Sequence, residues 1–171
     1  MAVTKVCVVG NTASGKSHLA GLVGERFGLP ITHLDAIYWR SDWSHATTEE
    51  FLAAQRDLIS GQKWVLDGCF SEFGLESRFQ AADAILFLDM PSWSCLRRAV
   101  SRRGDNRTDT PADDRLLPLG LGLLFLVEII VFKLVERPRV LSAGKRCGTP
   151  FIRIRRWADE DQALLALRDV I

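Results

Sequence analysis

The fold of this chain is decided by one stretch, Gly10-Asn11-Thr12-Ala13-Ser14-Gly15-Lys16-Ser17, which matches the pattern G-x-x-x-x-G-K-[ST] at every position. An apolar run from Lys5 to Val9 precedes it, and a helical pattern follows from about Lys16 to Phe27. Glycines let the backbone curl so that N–H groups point at anionic oxygens, and the helix N terminus adds partial positive charge. The stretch predicts a phosphate-binding loop, with a plain glycine-rich turn as the weaker alternative.

Each polar side chain of this loop has an expected role. The Lys16 ammonium is predicted to reach the β- and γ-phosphates and to act in catalysis, while the Ser17 hydroxyl is predicted to ligate Mg²⁺. The neighbouring His18 is expected to pack near the loop. The sequence implies ATP and Mg²⁺ as cofactors, with the nucleotide held by Gly10, Asn11, Thr12, Ala13, Ser14, Gly15, Lys16, Ser17 and His18.

Short apolar runs alternate with helical patterns along the rest of the chain. Further strands, most of them apolar on both faces, are predicted at 31–34, 64–66, 84–88 and 151–154. This pattern predicts an α/β protein in which helices cover both faces of a five-stranded parallel sheet. With the phosphate-binding loop, it indicates a three-layer P-loop NTPase fold. We expect one domain over 1–171, with an acceptor arm at about 36–62 and a lid region at about 103–115.

Aspartates follow the predicted strands, at the edge where parallel α/β sheets bind ligands. A P-loop requires a second carboxylate to hold the magnesium shell, and Asp67 is the first choice for this role. Asp89 is the alternative, and either residue can instead belong to a turn. Asp35 is predicted to lie in the same crevice, where a carboxylate can act as general base toward an alcohol.

Arginines cluster before the predicted lid. Arg98 and Arg102 are four residues apart and share one face of a predicted helix, which leads through Arg103 into a polar loop that contains Arg107. Planar guanidinium groups stabilise the negative charge that spreads over a migrating phosphoryl group. We therefore predict catalytic roles for Arg98 and Arg102 and lid roles for Arg103 and Arg107, with a solvated basic face as the alternative.

Taken in order, several segments resemble the bacterial adenylate kinase-like proteins called DNA topology modulation proteins: the P-loop, His33-Leu34-Asp35, Tyr38-Trp39, Trp64-Val65-Leu66-Asp67-Gly68 and Arg137-Pro138-Arg139. Leu66-Asp67-Gly68 is also similar to the LDG segment of adenylate kinases, and 98–103 is similar to the R-x-x-x-R-R before their lid. The resemblance implies a nucleotide kinase-like fold. It also implies phosphate-binding or catalytic roles for Lys16, Arg98 and Arg102, a magnesium-bound water at Asp67, and an acceptor near Asp35.

The chain departs from adenylate kinases on the acceptor side. Those enzymes follow LDG with an aromatic residue, a proline and an arginine that grips the acceptor phosphate, whereas the next arginine here is Arg78. Arg40 follows Asp35 at a spacing that differs from theirs, so the sequence does not favour AMP as acceptor. Trp39 either stacks on the acceptor or packs within the arm. The acceptor candidates are Asp35, Trp39, Arg40 and Arg78.

Composition limits the classes of partner. The chain has 22 Lys and Arg against 21 Asp and Glu, so no global field attracts nucleic acid, and nucleic acid is an unlikely partner. The four cysteines lie far apart without a CxxC pair, which predicts reduced thiols and a cytoplasmic protein. No signal-peptide pattern opens the sequence.

One segment, Leu116 to Val135, is mostly apolar. Pro118 interrupts its start, and Glu128 and Lys133 lie inside it, so its uncharged run is shorter than the roughly 20 residues that span a bilayer. We expect a buried or interface helix that ends near Pro138 and does not span a membrane. Homo-oligomerisation through 119–135 is one hypothesis for its role.

These features predict a phosphotransferase of the nucleotide or small-molecule kinase type. It would transfer the γ-phosphoryl group of ATP to an acceptor that the sequence does not identify. The alternative is a nucleotide-dependent regulatory or nucleic-acid-associated P-loop protein with weak ATPase activity. Acceptor-dependent release of ADP distinguishes the two.

Overall fold

The computed structural model describes residues 3–101, 119–156 and 159–169. Strands and helices alternate along the chain, which confirms the α/β class. The elements are β1 (Lys5–Gly10), α1 (Lys16–Phe27), β2 (Ile31–His33), α2 (Leu34–Tyr38), α3 (Thr48–Ser60), β3 (Trp64–Asp67), α4 (Leu75–Ala81), β4 (Ala84–Leu88), α5 (Ser92–Ser101), α6 (Leu119–Val131), α7 (Glu136–Cys147), β5 (Phe151–Ile154) and α8 (Glu160–Asp169).

The strands form one five-stranded sheet in the order β2-β3-β1-β4-β5, with every neighbouring pair parallel. β1 is central, so the loop that follows it opens at the middle of the carboxyl edge. In the register, Val8 pairs with Asp67 and Gly10 pairs with Leu88, which brings the ends of three strands together. The predicted five-stranded parallel sheet is confirmed.

Alternate residues of the central strands point to opposite faces of the sheet, as the period of a strand requires. Val6 and Val8 join the core that includes residues of α1, α5 and α8. Cys7 and Val9 join a second core that includes residues of α4 and α7. Two cores on opposite faces give the predicted three-layer arrangement, and the buried strands explain the continuous apolar runs in the sequence.

Three local predictions differ from the structure. β2 ends at His33 instead of 34, because Leu34 and Asp35 already belong to helix α2. Helix α4 was not predicted. The apolar helix ends at Val131 and not near Pro138, which lies in the first turn of α7, where the missing N–H of proline breaks no hydrogen bond of the helix.

Helix α6 has a buried side and an exposed side. Ile129 is buried, and so is Phe132, which lies just beyond the end of the helix. In contrast, Leu123 and Ile130 are 62% and 58% exposed. Within the residues that the structure describes, no helix has both the length and the apolar character that crossing a membrane requires.

Candidate functional site

The loop between β1 and α1 has the backbone of an anion cradle. Gly10, Ala13 and Gly15 adopt positive φ angles of 156°, 56° and 96°. A Cβ at Gly10 would lie 2.7 Å from the carbonyl oxygen of Leu88, so this close approach to β4 requires glycine. Positive φ angles of this kind are typical of loops whose backbone N–H groups form an anion-binding concavity.

Lys16 and Ser14 complete this loop. The Lys16 ammonium donates to the carbonyl oxygen of Asn11 at 2.9 Å, and the Ser14 amide donates to the same oxygen at 3.1 Å. The hydroxyl of Ser14 is buried without a hydrogen-bond partner. Since buried hydroxyl groups are normally paired, this oxygen is a polar group suited to a phosphate.

Helix α1 directs its N terminus at the loop. Its N-cap is Gly15, which offers no side-chain acceptor, and its first turn holds no acidic residue. The first amide groups and the positive end of the helix dipole are thus directed at the loop. The predicted strand–loop–helix context is confirmed, and the cradle fits the triphosphate of ATP.

Asp67 lies at the end of β3, beside the start of the loop, and is only 4% exposed. Its Oδ2 atom is 2.7 Å from Nδ1 of His33, while its Oδ1 atom is buried without a hydrogen-bond partner. A buried carboxylate oxygen without a partner is costly unless it serves a cation or a water. The oxygen chemistry of Asp67 and of the Ser17 hydroxyl at the start of α1 therefore fits Mg²⁺, which prefers hard oxygen ligands.

His33 is a residue that the sequence analysis did not select. Its ring holds Asp67 because β2 and β3 are parallel neighbours in a register that pairs His33 with Asp67. The sequence did place both residues at strand ends, but nothing in it gave the strand order. Only the pairing of β2 with β3 shows that the two side chains meet.

Asp89, the alternative magnesium residue, is engaged in ion pairs. Its Oδ1 and Oδ2 atoms accept from Arg137 at 2.8 and 3.2 Å, and Oδ2 also accepts from Nε of Arg153 at 2.7 Å. Partial burial would raise the pKa of the Asp89 carboxyl, but the hydrogen bonds and charges of the two arginines outweigh it and hold the pKa below its ordinary value. Both oxygens of Asp89 thus serve a structural ion pair, so the geometry favours Asp67 for the metal.

Arg98 reaches the phosphate loop from α5. Its Nη1 atom is 3.4 Å from the carbonyl oxygen of Ser14 and donates to it. The contact brings Arg98 to the phosphate loop, and its phosphate-binding role stays a prediction. Arg102, Arg103, Arg107 and the predicted lid region 103–115 lie outside the described residues, so their roles stay predictions.

The acceptor candidates of the arm occupy different positions. Asp35 lies in the first turn of α2 after Leu34, which packs so closely on Gly68 that a Cβ at Gly68 would lie 2.8 Å from the Cβ of Leu34. Trp39 packs in the arm against Tyr38 and Trp43. Arg40 forms an exposed ion pair with Glu50 at 3.2 Å. Asp35 is therefore next to the loop after β3, whereas Arg40 is turned to the surface.

Arg78 does not fit the predicted contact with an acceptor. Its side chain is fully buried, and its guanidinium donates to the carbonyl oxygens of Gly68, Cys69 and Phe70 at 2.9, 2.6 and 3.1 Å. Burial lowers the pKa of Arg78. The prediction was wrong because a chain position shows neither burial nor partners. Arg78 therefore acts as a structural brace: its hydrogen bonds fix the backbone of the loop 68–73.

Carboxylates collect on the acceptor side of the P-loop. Asn11 donates to the carbonyl oxygen of Ile129 at 3.0 Å, which ties the loop to the end of α6 next to Glu128. Desolvation, followed by the charges of Glu136 and Asp35, raises the pKa of Glu128, although the residue is exposed. Three acidic side chains from α2, α6 and α7 thus lie within electrostatic range of one another.

Cys69 connects these carboxylates to the loop after β3. Burial raises the pKa of its thiol, and the charge of Glu136 and a hydrogen bond to it raise the pKa further, while Lys16 acts in the opposite direction. Glu136 and Lys16 therefore lie within electrostatic range of the Cys69 thiol.

The sequence matches no protein-family model and no curated protein, but solved structures match it over nearly its whole length. A shikimate kinase from Acinetobacter baumannii aligns with a TM-score of 0.63 and 17% identity, covering 98% of this chain and 93% of that one. A gluconokinase from Sinorhizobium meliloti 1021 aligns with a TM-score of 0.62, the same 17% identity and the same coverage. A deoxyadenosine kinase from M. mycoides aligns with a TM-score of 0.52 at 10% identity, covering 97% of this chain and 99% of that one.

At this level of identity the likeness establishes the fold alone. The chain has the α/β fold of P-loop kinases, with a five-stranded parallel sheet and the phosphate loop after its central strand. The finer resemblance to DNA topology modulation proteins is not confirmed by these matches.

Proposed function

We propose that this protein is an ATP-dependent phosphotransferase of the nucleotide or small-molecule kinase type. One observation carries the proposal: the complete P-loop lies beside Asp67, whose buried Oδ1 atom has no protein partner. A phosphate cradle beside a carboxylate oxygen of this kind is what MgATP binding requires. The kinase fold of the similar structures supports transfer of the phosphoryl group to a small molecule.

In this proposal each residue has a defined task. The loop amides of 10–15 orient the phosphates, and Lys16 leaves the carbonyl oxygen of Asn11 to contact the β- and γ-phosphates. Ser17 and Asp67 hold Mg²⁺ directly or through water; when bound, the ion neutralises charge on the phosphates. Arg98 neutralises the migrating group together with Arg102, and Arg103 and Arg107 close over it.

The free state of all four cysteines supports the proposed cytoplasmic location. The regulatory or nucleic-acid-associated alternative has no specific support among the described residues. It predicts nucleotide binding with little turnover and salt-sensitive retention of DNA. A kinase instead releases ADP in proportion to the acceptor.

The first test is calorimetry of MgATP binding by wild type and Lys16→Ala. We expect the variant to lose about 100-fold or more in affinity, since a charge-assisted contact to phosphate is removed, while its circular dichroism is unchanged. Lys63→Ala is the matched control, because Lys63 is exposed before β3. Equal affinities in Lys16→Ala and wild type would refute the nucleotide site.

A further inference from the structure

The acceptor side of the crevice is formed by segments that the fold brings together beside the P-loop. Gly68 packs on Leu34 next to Asp35, Asn11 is hydrogen-bonded to the backbone of α6, and Arg137, next to Glu136, pairs with Asp89 after β4. α2, the loop 68–73, the end of α6 and the start of α7 thus meet at the phosphate loop. The charge of these segments decides which acceptor can approach.

Three arginines near this side of the crevice, all within the described residues, are engaged in other contacts. Arg78 is enclosed under the loop 68–73, and Arg40 pairs with Glu50 at the surface. Arg137, at the start of α7, pairs with Asp89. None of these three guanidinium groups is placed to grip a phosphate or carboxylate of an acceptor.

Carboxylates occupy this side instead. Asp35, Glu128 and Glu136 come from three different elements and lie within electrostatic range of one another. A phosphate or carboxylate of an acceptor would add a further like charge to a partly buried site, which is unfavourable. A neutral hydroxyl compound or an amino alcohol carries no such cost.

An aromatic surface lies beside the carboxylates. The half-buried ring of Tyr38 contacts Phe70 at a centroid distance of 4.9 Å and Phe73 at 6.3 Å. Phe70 has a φ of 39°, which is strained for a residue with a side chain, and Arg78 holds its carbonyl oxygen. Backbone strain that is maintained by a buried side chain, here Arg78, is typical of loops at functional sites. Burial raises the pKa of Tyr38, and the charges of Glu128 and Glu72 raise it further.

Resting on the kinase function proposed above, we propose that the acceptor is a small hydroxyl compound that carries no anionic group. It would bind between the aromatic surface of Tyr38, Phe70 and Phe73 and the carboxylates of Asp35, Glu128 and Glu136. In the transfer, the acceptor oxygen bonds to the γ-phosphorus of ATP while its proton passes to the Asp35 carboxylate. The bond from the γ-phosphorus to the β,γ-bridging oxygen breaks, and ADP leaves with that electron pair.

The test uses pairs of acceptors that differ in charge: adenosine and AMP, glucose and gluconate, and ethanolamine and glycolate. ADP release from MgATP gives kcat/KM for each compound with the full-length protein. We expect the uncharged or cationic member of the productive pair to exceed the anionic member by about tenfold or more, which equals the cost of one like-charge contact.

Glu128→Gln tests the carboxylates directly. Removing one negative charge is expected to reduce the preference for the non-anionic member by about threefold or more. Glu25→Gln is the matched control, because Glu25 is exposed on α1 nine residues after Lys16, roughly 13 Å along the helix. Thermal unfolding by circular dichroism checks that both variants fold.

The outcomes separate the two proposals. Faster turnover of the anionic members, or equal turnover within each pair, would overturn the acceptor class and leave the kinase function standing. An unchanged preference in Glu128→Gln would contradict the role of the carboxylates. MgATP binding that depends on Lys16, without acceptor-dependent ADP release from any pair, would overturn the kinase function and the acceptor class together.

Discussion

At the residue scale, Arg78 shows that burial and partners determine what a charged side chain does. Its guanidinium is completely enclosed, and backbone carbonyl oxygens of the loop 68–73 surround it. A buried guanidinium is tolerated only where such acceptors replace water. The residue therefore fixes the shape of the loop that follows Asp67, and its effect on any acceptor is indirect.

We predict that Arg78→Met lowers the free energy of unfolding by about 3 kcal/mol or more, because several buried carbonyl oxygens lose their donor at once. Urea unfolding at neutral pH measures the change. Arg56→Met is the matched control, since Arg56 is exposed on α3 and should change stability by less than about 0.5 kcal/mol. If Arg78→Met lost as little stability as Arg56→Met, the Arg78 guanidinium would not be stabilising the fold.

Asp67 shows a second effect of burial, which is to leave a carboxylate oxygen without a protein partner. One of its oxygens is held by His33, and the other is buried and unpaired. We predict that Asp67→Asn reduces the enhancement of ATP binding by Mg²⁺ by about tenfold or more, since an amide is a weaker ligand for a hard cation. Calorimetry with and without Mg²⁺ measures the enhancement, and Asp57→Asn, at an exposed position of α3, is the control. A full enhancement in Asp67→Asn would exclude Asp67 from the metal site.

At the element scale, Asp89 connects three elements of the fold through ion pairs. It follows β4, while its partners Arg137 and Arg153 belong to α7 and β5. The position of Pro138 beside Arg137 in the first turn of α7 sets the start of that helix. The ion pairs thus hold α7, and with it Glu136, against the carboxyl edge of the sheet.

This arrangement predicts an acid-sensitive contribution to stability. The pKa of Asp89 is lower in the folded protein than in the unfolded chain, so the contribution is complete above the unfolded value of about 3.9. It is lost as the pH falls through the folded-state pKa. We expect Asp89→Asn to cost about 2 kcal/mol or more at pH 7 and to make the loss of stability below pH ~4 less steep.

Urea unfolding between about pH 3 and 7 measures both effects. Asp57→Asn again serves as the control, and its profile should follow that of wild type. Parallel profiles for wild type and Asp89→Asn would mean that the ion pairs contribute no acid-sensitive stability.

At the scale of the whole molecule, the exposed side of α6 is the feature that a single chain does not explain. On α6, Leu123, Val127 and Ile130 follow one another at spacings of four and three residues, and Leu134 lies just beyond the end of the helix; all four are exposed. This spacing forms one apolar stripe along a helix and is suited to pairing with another helix. It supports the hypothesis that two copies associate through 119–135.

We predict that the wild-type protein sediments as an oligomer and that Ile130→Glu sediments as a monomer, because a charge in an apolar interface is strongly unfavourable. Analytical ultracentrifugation measures the mass. Leu165→Glu, at a position of α8 that is similarly exposed, is the matched control and should keep the wild-type mass. A monomeric wild type would contradict the hypothesis.

The P-loop and the strands could be predicted because their physical causes are local. Glycine spacing fixes the curl of the loop, and apolar runs between turn residues fix the strands. The start of α3 also has a local cause, since Thr47 and Glu50 form the reciprocal hydrogen bonds of a capping box. The boundary between α6 and α7 was misread, because proline permits the first turn of a new helix as readily as it ends an old one.

The sequence by itself determined that this chain folds into a parallel α/β sheet around a phosphate loop, since those features depend on neighbours along the chain. The tertiary structure alone decided which charges meet. It paired His33 with Asp67, engaged Asp89 with arginines and enclosed Arg78 beneath a loop. These contacts depend on strand order and helix packing, because both bring together residues that are distant in sequence. The same packing determines how deeply each charged side chain is buried, and burial determines its role.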